Sequence, residues 1–195
     1  MEIKFRRDAG FTLIEILVAV VISFIILLVL YNILNNFYRM YHKKQQILQV
    51  QEDAAYAIDI ISNGFWQEVS GAKRRVSGIR GVSRIRTPNN NTGLSLHEKV
   101  TDIYIAGYFV QPHNGGYALV CTDSNYKIYY IIPKNEFSQE SLDKYTDIKT
   151  HFDVGPVHDV QDKRLKVRVT LELAKEIYGE EYRYTLEEDV IAMVK

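Results

Sequence analysis

The chain has 195 residues, 24 of them basic and 24 acidic, for a formal net charge of zero at pH 7. That balance removes any global electrostatic case for nucleic-acid binding. The single cysteine, Cys121, excludes an internal disulfide and a cysteine-rich structural zinc site.

A short basic head with Lys4, Arg6 and Arg7 precedes a long apolar run. From Phe11 to Leu30 only Thr12, Glu15 and Ser23 interrupt it. As a helix rising 1.5 Å per residue, this stretch crosses the ~30 Å hydrocarbon core of a bilayer. Glu15 is the anomaly, because a charge near the middle of a membrane helix costs roughly 2.5–3.5 kcal/mol on insertion scales. A secretory signal peptide would need a shorter apolar core and a small-x-small cleavage site, which Leu28-Val29-Leu30-Tyr31-Asn32-Ile33-Leu34 does not offer. A buried soluble helix would not be apolar nearly all round. Lys4, Arg6 and Arg7 lie closer to their end of the span than Arg39, Lys43 and Lys44 do to theirs, which favours a cytoplasmic amino terminus.

The segment Gly10-Phe11-Thr12-Leu13-Ile14-Glu15-Ile16-Leu17-Val18-Ala19 resembles the class III signal of type IV pilins and of type II secretion pseudopilins. The resemblance implies that residues 1–10 are a leader. A prepilin peptidase would cut between Gly10 and Phe11 and methylate the new amino terminus at Phe11. It also implies that Glu15, fifth in the mature chain, pairs with a neighbouring subunit's amino-terminal nitrogen. A buried carboxylate and a buried ammonium are each costly alone, and pairing offsets part of that. The implied partners are the peptidase, other pilin or pseudopilin subunits, an inner-membrane platform with its assembly ATPase, and membrane lipid. The implied location is the inner membrane, with the carboxy-terminal domain outside it, followed by a periplasmic filament or a cell-surface pilus.

No proline or glycine occurs from Phe11 through Asn63. Tyr31, Phe37, Tyr38 and Tyr41 stand where an interfacial aromatic belt would. Beyond them Ile47, Val50, Ala54, Ile58, Ile61, Phe65 and Val69 recur at spacings of three and four, one face of a helix. Gln45, Gln49, Gln51, Glu52, Asp53 and Asp59 fill much of the remainder. The pattern predicts a membrane or filament-core helix over 11–40, continued by an amphipathic helix over 41–69. A globular domain then spans 41–195.

Residues 70–96 read as a loop. Lys73, Arg74, Arg75, Arg80, Arg84 and Arg86 form a basic run without acids, broken by Gly71, Gly78 and Gly81, and Pro88 to Gly93 follow as a turn. Arg74, Arg75, Arg80, Arg84 and Arg86 are the candidate ligand residues of this loop, although no aromatics interleave them as a single-strand stacking platform would require. Residues 97–195 read as an antiparallel sheet. Val100–Val110, Tyr117–Thr122 and Tyr126–Ile132 form a meander, with a turn over Gln111–Gly116. Asn135–Tyr145 reads as a short helix or loop and Phe152–Lys163 as a loop. Leu165, Val167, Val169, Leu171 and Leu173 alternate with polar residues as a half-buried strand. Ile177–Glu181 joins that strand to a second one over Tyr182–Met193.

Nothing catalytic stands out. His42, His97, His113, His151 and His158 lack zinc-protease spacing, and no phosphate or dinucleotide glycine motif is present. Asp153, Asp159 and Asp162 offer carboxylates to a calcium ion without EF-hand spacing. No metal or cofactor is expected, and no enzyme activity. The expected fold is α+β and pilin-like, a long amino-terminal helix packed by its second half on an antiparallel sheet. The absence of a helix-kinking proline and of a disulfide loop, together with Gln51–Ser62 and the two-strand ending, resembles W-type minor pilins and J-type pseudopilins. The expected function is a structural minor subunit that helps to prime or build a filament. The alternative is a membrane-anchored module that captures DNA or a secreted substrate through residues 73–86.

Overall fold

The computed structural model describes residues 11–69, 72–82, 84–88, 92–98, 101–132, 145–156 and 165–192. The leader residues 1–10, most of Asn135–Tyr145 and the aspartates Asp159 and Asp162 lie outside them. Two compact units are present, Met1–Gln45 and Gln46–Lys195. One helix, α1 (Leu13–Asn63), runs through both; its 51 residues measure about 77 Å at 1.5 Å per residue.

In the first unit every α1 residue up to Tyr41 is exposed. In the second, Val50, Asp53, Ala54, Ala57, Ile58, Ile60, Ile61 and Ser62 are buried. The apolar members among them join one core with the inner face of the sheet. Asp53 departs from the polar-surface reading of this helix: it is buried and accepts the Tyr145 hydroxyl at 2.7 Å.

The helix ends at Asn63, short of the expected Val69. Gly64 adopts φ +75°, a left-handed conformation open to glycine at little cost, and a Cβ there would collide with the Val76 carbonyl. Phe65 and Val69 kept helical spacing in the sequence, but the chain turns at Gly64 into strand β1 (Gly64–Val69). β1 pairs antiparallel with β2 (Ala72–Ser77) as a separate two-stranded sheet. The expected loop over 70–96 is therefore largely structured. It contains β2, a 3₁₀ turn (Ile79–Gly81), β3 (Arg84–Arg86) and β4 (Leu94–His97).

The main sheet begins at β3 rather than at residue 97. It continues through β5 (Tyr104–His113), β6 (Gly116–Asp123), β7 (Ile128–Ile132), β8 (Tyr145–Pro156), β9 (Leu165–Ile177) and β10 (Glu180–Ala192). The strand order is β10-β9-β8-β6-β5-β4-β3, with β7 also on β6, and every pairing is antiparallel. Gln111–His113 extend β5, so the first hairpin turn is only Asn114–Gly115. Both turn residues have positive φ, as a tight two-residue hairpin requires. The last hairpin turns in the same way at Tyr178–Gly179, which lets β9 and β10 pair over their full lengths. Residues 152–156, expected as loop, belong to β8, where Phe152 is buried against the core. Val167, Val169, Leu171 and Leu173 all point into the core, as the period-two alternation of β9 predicted.

Candidate functional site

The helix start is built by its own sequence. Thr12 stands before the first helical residue, and the Glu15 main-chain N–H donates to the Thr12 carbonyl at 3.1 Å and to its Oγ1 at 3.4 Å. In return the Glu15 Oε2 accepts the Thr12 main-chain N–H at 2.8 Å and the Thr12 hydroxyl at 2.9 Å. This is a reciprocal capping box, Thr-x-x-Glu, which satisfies amide donors that an α-helix start leaves orphaned. The carboxylate also sits at the positive end of the helix macrodipole. Both side-chain bonds use Oε2; among the described residues Oε1 accepts none.

Around this cap the surface is apolar and bare. Phe11 is 84% exposed, and Leu13, Ile14, Ile16, Leu17 and Val18 are exposed with it. The Ser23 hydroxyl donates to the Ala19 carbonyl one turn back at 2.8 Å, so it carries no unmet donor into the apolar stretch. Soluble proteins rarely leave a contiguous apolar surface of this extent uncovered. A helix this long and apolar is consistent with membrane anchoring. Gly10, the residue before the expected cleavage point, lies outside the described residues.

The five arginines of the expected ligand loop do not form one loop. Arg75 donates to the Asn63 carbonyl at 3.1 Å, and Arg80 donates to the Asn63 Oδ1 at 3.1 Å while lying 3.7 Å from Glu188. The last turn of α1 carries no basic residue of its own. Arg75 and Arg80 thus bring positive charge to a helix carboxyl end, where orphan carbonyls and the macrodipole favour it. Arg74 is exposed and acts electrostatically on Asp123 and Tyr129. Arg84 and Arg86 turn to the opposite edge of the domain's main sheet and clamp Asp102, Arg84 at 3.0 Å. The Arg84 guanidinium 3.0 Å away, aided by the Arg86 charge, holds the Asp102 carboxyl below the usual carboxylate range. The acids that answer this basic run come from elsewhere in the chain.

Cys121, Asp123 and Tyr129 are buried within the fold. Burial pushes the Cys121 thiol up to about 12, which removes it as a nucleophile at neutral pH. Burial also raises the Asp123 carboxyl, but the N–H groups of Lys127 and Asn125 and the Tyr129 hydroxyl outweigh it and hold the group below its usual range. Burial first, and the bond to Asp123 second, lift the Tyr129 phenol to about 12. His97 sits with Asp102, and His113 with Asn114 and Tyr130, while His151 is exposed. His158 lies outside the described residues. Among the described residues no three His, Cys, Asp or Glu side chains gather as a metal site.

Sequence reasoning missed Thr12 as the partner of Glu15, although the Thr-x-x-Glu spacing signals it. It also missed Tyr145 beneath Asp53 and Asp102 beneath the arginines, for which spacing gives no signal.

Comparison with known proteins bears on the amino terminus alone. No curated protein and no solved structure matches the chain. Residues 5–31 match a family model described as the prokaryotic N-terminal methylation motif. The matched segment contains the Thr12–Glu15 cap and the bare apolar run, and it supports a subunit of the type IV pilin or pseudopilin kind, processed by a prepilin peptidase and assembled with other pilins.

Proposed function

We propose that the chain is a structural minor subunit, a minor pilin or pseudopilin of the W or J type, which primes or builds a type IV pilus or type II secretion filament. The observation that carries this reading is one carboxylate, Glu15, in an otherwise apolar exposed helix within the matched methylation motif. The prepilin peptidase cuts between Gly10 and Phe11 and methylates Phe11. The chain waits in the inner membrane with its amino terminus cytoplasmic, until the platform and ATPase move it into the filament.

The cap suggests how Glu15 is tolerated before assembly. In the single chain Thr12 supplies two donors to Oε2, a partial substitute for water. In the filament the ammonium of a neighbour's Phe11 supplies a full opposite charge, and breaking such a buried pair costs about 3–5 kcal/mol. The finer placement within the family draws on an α1 without an internal proline or glycine, a single buried cysteine and the closing β9–β10 hairpin.

The test is Glu15→Ala in the full chain. Leader removal and membrane insertion are expected to stay intact, while co-purification with filaments falls by roughly a hundredfold or more, as a loss of that size implies. Normal incorporation of this variant would overturn the pairing role.

A further inference from the structure

The outer face of the main sheet carries a row of rings that neither the core nor the helix uses. Arg84, His97 and Tyr104 are cross-strand neighbours on β3, β4 and β5. The His97 ring meets Tyr104 edge-on at 5.7 Å, and Tyr104 lies flat against Tyr126 at 5.1 Å with 5° between the planes. Tyr126 is 72% exposed, so the ring face away from Tyr104 is open to solvent, and Ile103 beside Tyr104 is 59% exposed. This stack is seated by specific devices. The Tyr104 hydroxyl bonds the Thr122 Oγ1 across Gly107, where any Cβ would collide with that hydroxyl.

Two non-glycine residues in left-handed backbone shape the ends of the row, Asp102 at φ 55° and Tyr126 at φ 60°. Left-handed backbone is common for Asp and uncommon for Tyr, and at both ends it closes a turn beside the row, Asp102 N–H donating to the Glu98 carbonyl and Tyr126 N–H to the Asp123 carbonyl. At the Asp102 end, Arg84 and Arg86 each spend one nitrogen on the carboxylate. Their side chains remain 46% and 55% exposed, and a guanidinium has five N–H donors. Asp102 thus holds two half-used guanidiniums beside an exposed ring stack.

We infer that this row binds single-stranded nucleic acid. Tyr126 is the platform on which an unpaired base stacks, and Arg84 and Arg86 form the fork that takes phosphate, with Asp102 as their positioning residue. Stacking on a ring platform selects the single strand, because bases inside a duplex present no free face. An acidic polypeptide would use the arginines but leave the ring without a partner. In the sequence the arginine run lacks aromatics; sheet pairing supplies them from β5 and the β6–β7 turn. The inference is independent of the filament reading, since the row lies wholly within the second unit.

The test uses the full chain in non-ionic detergent and a fluorescein-labelled oligodeoxythymidylate, with binding followed by fluorescence anisotropy. Saturable binding that weakens with salt is expected. Tyr126→Ala is expected to weaken it roughly tenfold, the scale of one lost stacking contact, and Tyr126→Phe to preserve it. Arg84→Gln and Arg86→Gln should each lower the slope of log affinity against log salt by about 0.7. An unchanged circular dichroism spectrum establishes that each variant is folded. Absence of saturable binding, equal affinity for Tyr126→Ala, or competition by duplex DNA or polyglutamate as effective as by the single strand would each overturn the inference.

Discussion

The two halves of α1 share one backbone and differ in what their side chains meet. Up to Tyr41 the helix is bare, and apart from Glu15 and Ser23 its residues as far as Leu30 are apolar on every side. From Val50 to Ser62 it is striped, with Val50, Ala54, Ala57, Ile58 and Ile61 buried against the sheet. A striped helix names its partner within its own chain; a helix apolar all round has its partner elsewhere, in lipid or in other helices. The contrast divides one element into a back half that stabilises the domain and a front half that its own fold leaves uncovered.

The largest effect should come from the front. Replacing Gly10 with leucine is expected to abolish leader removal, seen as a chain that keeps residues 1–10 by mass, while the thermal unfolding of the domain stays unchanged. A shift in that unfolding would erase the division between the halves.

Next in size is a matched pair of truncations. Ile61→Ala should destabilise the domain by about 2–5 kcal/mol, as deletion of a fully buried aliphatic group does. Leu27→Ala, on the bare half, should stay within about 0.5 kcal/mol in detergent. Denaturant titration of both variants checks the pair, and equal costs would break the comparison.

Tyr108→Phe probes the junction where the buried half ends. The Tyr108 hydroxyl shares its one proton between the carbonyls of Ile60 and Ser77, at 3.3 and 3.0 Å, and so ties the helix to β2. Its removal should cost about 1–2 kcal/mol, with protection of the last helical amides in hydrogen exchange falling first.

The smallest effect is alkaline. Burial raises the Cys121 thiol from 9.0 and the Tyr129 phenol from 10.0, each to about 12. The folded values exceed the unfolded ones, so the stability linked to these groups is complete below about pH 9 and is lost as pH rises toward 12. Unfolding midpoints measured across that window should fall. A flat profile there would mean that the two groups are less enclosed than the second unit's core implies.

These contrasts also explain what the sequence disclosed. The front half was legible because its signal is one-dimensional: an apolar run and a single misplaced acid. The stripe was legible at Val50, Ala54, Ile58 and Ile61, since helical periodicity is local. The helix end was not, because Phe65 and Val69 fit a helical spacing and a strand equally well; the left-handed Gly64 decided between them. The arginines misled for a different reason. Their partners Asn63, Asp102 and Glu188 lie far apart in the chain, so the run read as a free loop. Residues 152–156 read as loop around Gly155-Pro156, yet β9 holds them in register as the end of β8.

If the bare front half is processed for assembly, the mature chain begins at Phe11. Intact-mass spectrometry of the chain, recovered from cells that contain a prepilin peptidase, tests it most directly. The expected species lacks residues 1–10 and carries one methyl group on the Phe11 nitrogen. A mature chain that retains residues 1–10, or that is cut at any other bond, would contradict it.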